Sequence, residues 1–133
     1  MQHPGRLPLS GDRWTPLARV LRFNGVDLTG AEFRAQVRLY PDAPGDPLVD
    51  LRTAGPGVEG VRLVAVESVA GKPVSTVLVS IGEAAMGNLP GAAAAGGEAG
   101  EDAALHWDLV ITWSGTKQRW LYGPFIVRAG VTR

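Results

Sequence analysis

The sequence predicts an all-β protein, an antiparallel sandwich or small barrel of about seven strands with one short helix. Three observations support this prediction. Apolar and polar side chains alternate in several segments, turn-forming residues recur between these segments, and helix-forming residues gather in only one place. Because successive side chains of a strand point to opposite faces of a sheet, this alternation is typical of strands with one buried face.

The N-terminal part of the chain is predicted to contain an arm and an edge strand. Residues 1–15 hold several prolines and glycines, which indicates an extended N-terminal arm before a domain at 16–133. The segment 16–23 alternates and begins with Pro16, which favours a strand at the edge of a sheet. Asn24 and Gly25 then predict a turn.

The strand at 27–39 has the most regular alternation in the sequence. Its small or apolar side chains take one parity, and its long polar side chains take the other. The first set is Ala31, Phe33, Ala35, Val37 and Leu39, and the second set is Glu32, Arg34, Gln36 and Arg38. We therefore expect a half-buried strand whose solvent face carries a row of polar side chains.

The rest of the chain is predicted to contain the remaining strands and the helix. Runs of β-branched residues predict the hairpin, Pro90 stops the helix, and low complexity predicts a flexible loop after it. In order, these elements are a strand at 48–53, a hairpin of 61–69 and 74–81, a helix within 82–90, a flexible Ala/Gly loop at 91–102, and strands at 104–113 and 117–128.

Composition argues against several classes of protein. The chain of 133 residues has the length of one domain and no cysteine, so disulfides and thiolate metal sites are excluded. Its 13 basic and 13 acidic residues cancel, and the basic residues form no run, which argues against a nucleic-acid partner. No apolar stretch approaches the roughly 20 residues that span a bilayer, and no signal-peptide pattern is present. We expect a soluble protein, made in the cytoplasm, with no nucleic-acid or membrane partner.

No motif predicts catalysis, a metal site or a cofactor. The segment GPGVEG at 55–60 fits the glycine pattern of dinucleotide-binding proteins, but a β-branched run follows where that motif needs a helix. His3 and His106 lack the spacing of metal ligands, and His106 lies on the polar parity of its strand. The serines lack the G-x-S-x-G nucleophile pattern. We therefore expect a protein that is not an enzyme.

The aromatic residues divide into two groups. Trp107 and Trp113 share parity with the leucines and isoleucine of their strand, so both are predicted to lie in the core. Trp120 and Tyr122 share parity on the last strand and are predicted to form an exposed aromatic pair. Aromatic faces stack on sugars, so this pair supports an alternative function as a carbohydrate-binding or host-adhesion module that contacts a host surface glycan.

Three segments carry a resemblance to a known family: GVDLTGAEFRAQVR, WDLVITW and, at the end of the chain, GPFIVRAGVTR. Together they resemble small phage structural proteins found with tail-fibre and baseplate proteins, and are similar to the immunoglobulin-like N-terminal domain of phage baseplate upper proteins. The matching positions are Asp27, Leu28, Thr29, Gly30, Arg38, Asp108, Gly123, Val131, Thr132 and Arg133. The resemblance spans residues 25–133, and the Ala/Gly segment 91–102 departs from the family pattern.

This resemblance implies an immunoglobulin-like β-sandwich that serves as a non-enzymatic structural component of a phage virion. The implied location is the tail, tail tip or baseplate, where the protein would contact other virion proteins and copies of itself and attach fibres. A ring of three or six copies is the arrangement that we favour. The candidate interface residues come from the arm, the polar strand and the aromatic pair: Leu7, Leu9, Trp14, Arg34, Arg38, Trp120 and Tyr122.

Two interpretations of the polar strand stay open. Its side chains either form the ordinary solvent face of a sheet, or Arg34 and Arg38 donate to carboxylates and carbonyls of neighbouring subunits. For the arm, whose apolar content exceeds that of a solvated tail, we expect disorder in the isolated protein and burial of Leu7, Leu9 and Trp14 on another subunit.

Overall fold

The computed structural model describes residues 4–131, which form nine strands and one short helix. His3, Thr132 and Arg133, which appear in the interpretations above, lie outside the described residues. The elements are β1 (Gly5–Arg6), β2 (Leu9–Asp12), β3 (Leu17–Asn24), β4 (Glu32–Arg38), β5 (Val49–Arg52), β6 (Gly60–Val69), β7 (Lys72–Ile81), α1 (Glu83–Gly87), β8 (Ala103–Trp113) and β9 (Thr116–Arg128).

The strands form two sheets of unequal size. A six-stranded sheet has the order β1-β9-β8-β4-β5, with β2 also paired to β9, and a three-stranded sheet has the order β3-β7-β6. The chain crosses between the sheets after β2, β3, β5 and β7. Two separate sheets with crossing connections are typical of a sandwich. The predicted mostly-β sandwich with one short helix is therefore confirmed, and the closed barrel is excluded.

Two of the hairpins are closed by two-residue turns that contain a glycine. Ala70 and Gly71 join β6 to β7, and Ser114 and Gly115 join β8 to β9. All four residues have positive φ angles, between 52° and 80°. Paired positive φ angles define the two-residue turn whose twist matches that of the flanking strands. The predicted hairpin is confirmed, with its second strand beginning two residues early, at Lys72.

The core lies between the two sheets and follows the predicted parity. Apolar residues of β4, β8 and β7 alternate with polar ones and are buried. The central buried set is Phe33, Ala35, Val37, Val77, Val79, Ile81, Leu105, Trp107, Leu109 and Ile111. Trp113, at the end of β8, keeps 38% of its surface exposed, so the prediction of core burial is wrong for this residue.

The helix α1 is short, and Met86 is its one buried residue. It begins after Gly82, whose N–H donates to Glu59 Oε1 at 2.6 Å, and ends at Gly87. The following Ala/Gly segment forms successive hydrogen-bonded turns, in which Ala92 is 4% exposed and Ala95 packs against the core. Alanine therefore anchors this loop where no larger side chain is available, whereas its flexibility stays a prediction.

The N-terminal segment is part of the sandwich, which corrects the predicted arm. Its strands β1 and β2 pair in parallel with β9, so the six-stranded sheet is not wholly antiparallel. Leu9 is only 1% exposed, and Leu7 packs against the core. Trp107 Nε1 donates to the Leu7 carbonyl at 2.9 Å. Leu9 was expected to be buried against another subunit. It is buried in its own domain instead, and this burial stabilises the fold of the isolated chain.

The end of this segment is fastened to the helix. The Arg13 guanidinium donates to the carbonyls of Gly87, Leu89 and Pro90. These carbonyls lie at the C-terminal end of α1 and just after it, where no intrahelical donor can reach them. Trp14, which has a positive φ of 65°, places its ring where a side chain of Gly87 would otherwise lie. The contacts of Arg13 and Trp14 therefore lie within the chain itself.

Candidate interaction surface

The outward face of the six-stranded sheet carries most of the polar residues that the sequence singled out. We call it the polar face. It is formed by alternate residues of β4, β5, β8 and β9, whose other residues point into the core. Its members are Glu32, Arg34, Gln36, Arg38, Asp50, Arg52, His106, Asp108, Arg119 and Tyr122. The predicted solvent face of β4 is confirmed, because Glu32 and Arg34 are exposed and Gln36 and Arg38 are half-buried.

Asp50 is the centre of a hydrogen-bonded group on the polar face. Arg34 donates two parallel hydrogen bonds to it, from Nε to Oδ1 at 3.1 Å and from Nη2 to Oδ2 at 3.0 Å. Gln36 Nε2 lies 3.3 Å from Oδ1, and Arg52 Nη2 lies 3.3 Å from Oδ2. The hydrogen bond from Arg34 lowers the pKa of Asp50 below its usual value, and the same pair raises the pKa of Arg34. The planar fork of Arg34 is thus already used within the chain.

Arg38 performs a second internal task. Its Nη1 donates to the carbonyls of Ala43 and Gly45, each at 2.8 Å, and its Nη2 donates to Gln36 Oε1 at 3.2 Å. The two carbonyls belong to the turn segment 41–47 between β4 and β5. Arg38 therefore fixes this segment against the sheet. Donation to carbonyls was the expected chemistry, and in the structure the carbonyls come from the same chain.

The polar face has a depression of about 520 Å³ beside the segment 41–47. The polar side chains that line it are Gln36, Arg38, Asp42, His106, Asp108, Arg119 and Tyr122. Arg119 Nε lies 3.2 Å from Asp108 Oδ2, an ion pair at the solvent boundary. A second depression, of about 430 Å³, lies further along the sheet beside Arg34, Arg52 and Lys117. A concave surface with convergent donors and acceptors is suited to binding a polar group.

Trp120 and Tyr122 do not form one exposed aromatic pair. The pairing of β8 with β9 shifts between Leu109 and Val110, so that Trp120 is an extra residue without a direct partner. Its ring contacts Phe23 edge-on at 5.6 Å and Trp113 edge-on at 6.3 Å, and it packs partly against the core. Tyr122 is 42% exposed on the polar face. A bulge shifts the parity of a strand by one residue, which the alternation rule cannot foresee.

The Asp-Leu-Thr-Gly segment forms the turn that leads into β4. Asp27 Oδ1 accepts bonds from the N–H of Thr29 at 2.9 Å and from its hydroxyl at 2.5 Å, and these bonds lower the pKa of Asp27. Leu28 is fully buried, and its N–H donates to Ser75 Oγ at 3.0 Å. Ser75, on β7, also donates to the Val26 carbonyl at 2.7 Å. The sequence analysis did not single out Ser75, since a serine in a β-branched run carries no signal of a buried partner.

Residues 4–131 contain neither a cluster of metal-ligating side chains nor a membrane-spanning helix. Within residues 4–131, no three His, Cys, Asp or Glu side chains are placed to hold a metal ion. The same residues contain no helix that is both long and apolar enough to cross a membrane.

Comparison with protein-family models returned no match, and comparison with curated protein sequences returned no significant similarity. The resemblance to phage structural proteins therefore depends on the residues given above and stays an expectation.

Proposed function

We propose that this protein is a non-enzymatic structural component of a phage virion, in the tail, tail tip or baseplate, with an immunoglobulin-like sandwich. One observation carries the proposal. Arg38 on β4 and the residues Asp108 and Gly123 of the β8–β9 hairpin match the family pattern, and all three line the depression on the polar face. Residues that match independently and then meet at one surface are expected if that surface serves the family's shared role.

The contacts of these residues suggest how the polar face would serve in an assembly. Arg38 holds the segment 41–47 in place, and Arg34 holds Asp50. We infer that the two arginines shape a rigid surface for a neighbouring subunit, while the exposed side chains of Arg119 and Tyr122 touch it. Rigid polar groups lose little side-chain entropy on docking, which favours specific contacts. A closed ring of three or six copies stays our favoured arrangement.

Purified virions test this proposal directly. Particles of the phage that encodes the chain would be banded in a density gradient and analysed by quantitative mass spectrometry. We expect the protein at a fixed ratio to the tail proteins, in a copy number that is a multiple of three. Its presence in the lysate but not in the virions would overturn the proposal.

A matched pair of variants tests the polar face in the same system. Asp108→Arg places a second cation beside Arg119 in the depression and should reduce incorporation into virions. Glu98→Arg makes the same charge change in the Ala/Gly loop and should have no effect. Equal incorporation of the two variants would argue against the polar face as a subunit contact.

A second candidate function, binding of a host glycan, keeps one supporting observation. Tyr122 lies exposed in the depression beside His106, Asp108 and Arg119, which offers an aromatic surface next to donors and acceptors for hydroxyl groups. A glycan array would detect such binding, and Tyr122→Ala should abolish it. Tyr40→Ala is the matched control, since Tyr40 is 51% exposed and does not line the depression. No binding on the array would remove this candidate.

A further inference from the structure

The outward face of the three-stranded sheet is an uncovered surface with an apolar centre. We call it the apolar face. Its residues follow from the strand register: Val20 and Arg62 flank Leu78, and Arg22 and Ala65 flank Thr76. The intervening residues Val77 and Val79 are buried in the core, so Leu78 and Thr76 point outward.

Valine exposure on this face is high. Val20 is 56% exposed, Val64 is 45% exposed, and Leu78 between them is half-buried. Single exposed apolar residues are common on protein surfaces, but here they lie on three adjacent strands of one sheet. A contiguous apolar patch with a polar border is typical of a surface that another molecule covers.

Arginines border the apolar centre and have no ion partner. Within residues 4–131, neither Arg22 nor Arg62 forms an ion pair or a side-chain hydrogen bond, and neither does Arg19 at the edge of the sheet. The strands β3, β6 and β7 carry these arginines and Lys72 against a single carboxylate, Glu67. The three-stranded sheet therefore has an excess of positive charge in a protein whose net charge is zero.

Both edges of this sheet are built to prevent strand addition. On β3, Arg19 pairs with the buried Val79 and so has the inward parity of its strand, yet it is exposed at the sheet edge. On β6, the register shifts between Leu63 and Ala65, leaving Val64 as a bulge. Inward-pointing charges and bulges are the devices that keep edge strands from pairing with other chains. A partner would thus meet the face of the sheet and not its edge.

We propose that the apolar face binds a partner protein whose surface combines apolar side chains with carboxylates. The apolar side chains would cover Val20, Val64 and Leu78, and the carboxylates would pair with Arg22 and Arg62. A second copy of this chain does not fit, because two apolar faces packed together would bring unpaired arginines against each other. This proposal depends only on the three-stranded sheet, so it stands whether or not the protein belongs to a virion.

Selection from a random displayed peptide library against the purified, folded protein tests the proposal. A random library has no built-in preference for any surface, so the selected peptides report where the protein binds best. We expect the dominant peptides to be rich in both apolar residues and Asp or Glu. Their affinity should fall about tenfold in the double variant Arg22→Gln, Arg62→Gln and also in Val20→Ser.

Two substitutions elsewhere are the controls. Arg6→Gln removes an exposed arginine of β1, and Val58→Ser removes an exposed valine outside the sheet, so neither should change the affinity. Thermal unfolding of each variant would verify that it is folded. Dominant peptides without carboxylates, or peptides whose affinity responds to the control variants and not to the variants of the apolar face, would overturn the proposal. So would a failure to select any peptide that binds.

Discussion

The two sheets use their arginines in opposite ways. On β4, β5 and β9 of the six-stranded sheet, every arginine bonds a carboxylate or a carbonyl of the same chain, as Arg34 does with Asp50. On the three-stranded sheet, Arg19, Arg22 and Arg62 have no such partner within residues 4–131. The arginines of β4, β5 and β9 are thus satisfied within the chain, and Arg6 of β1 is the exception in the first sheet, whereas the second sheet leaves strong donors beside exposed valines.

This difference follows from how the chain covers each sheet. The N-terminal segment adds two strands to β9, the segment 41–47 folds over β4, and both bring hydrogen-bond partners with them. Within residues 4–131, no further strand joins the three-stranded sheet. The larger sheet therefore offers a shaped, rigid surface. The smaller sheet offers a surface whose arginines have no hydrogen-bond or ion partner in the part of the chain that the structure describes. We expect substitutions of the partnered arginines of the larger sheet to affect stability, and substitutions of the unpartnered arginines of the smaller sheet to affect binding.

The largest loss of stability is expected in the core below the polar face. Trp107→Ala should lower the free energy of unfolding by about 3–5 kcal/mol, because the ring is 4% exposed and its N–H is bonded to the Leu7 carbonyl. Trp113→Ala is the matched control and should cost about 1–2 kcal/mol, since that ring is 38% exposed. Urea titration measures both values. Equal losses would contradict the inward placement of Trp107.

The next largest loss tests whether the N-terminal segment belongs to the six-stranded sheet. Leu9→Ala should cost about 2–5 kcal/mol, because Leu9 is 1% exposed within the core of the same chain. Leu48→Ala, at a leucine that is 39% exposed, should cost less than about 1 kcal/mol. If Leu9→Ala leaves the urea midpoint of the isolated protein unchanged, the segment does not pack as described, and the sequence-based expectation of a free arm returns.

A smaller loss is expected where β9 meets the N-terminal segment. A methyl group on Gly123 would lie 2.8 Å from the Leu7 carbonyl carbon and closer still to its oxygen, so the backbone must move. Gly123→Ala should therefore cost about 1–3 kcal/mol. Gly55→Ala meets no atom within 4 Å and should be neutral or slightly stabilising. Thermal unfolding of the two variants gives the comparison, and similar midpoints would show that the backbone at Leu7 does not pack closely on β9.

Much of the sandwich was predictable because alternation reports local geometry. The strands β4 and β8 alternate strictly, and two-residue turns mark the hairpins, so their positions and buried faces follow from the sequence. The strands β1 and β2 were missed because their partner β9 lies more than a hundred residues away, and a short segment with breakers has no periodic signal. Pairing between distant strands is decided by tertiary packing, which local pattern does not contain.

The candidate surfaces were less predictable than the strands. The row of polar residues on β4 was foreseen, but the partners of Arg34 and Arg38 depend on the register with β5 and on the path of the segment 41–47. The bulge in β9 separated Trp120 from Tyr122. The apolar face was hidden because β3 carries apolar residues and an arginine on each parity, so sequence alone could not say which set was outside.

The smallest expected effect is on the pH dependence of the free energy of unfolding, and it concerns Asp50, the carboxylate partner of Arg34. Because the pKa of Asp50 is lowered in the folded state, its stabilising effect is fully present above its ordinary pKa of 3.8 and is lost as the pH falls through the lowered value. Asp50→Asn removes this contribution. The difference in the free energy of unfolding between about pH 7 and about pH 3 should therefore be smaller in the variant than in the unsubstituted protein. If Asp50→Asn shows the same difference as the unsubstituted protein, the hydrogen bonds and ion pairs of Asp50 on the polar face do not stabilise the folded state, and the contrast between the arginines of the two sheets does not hold.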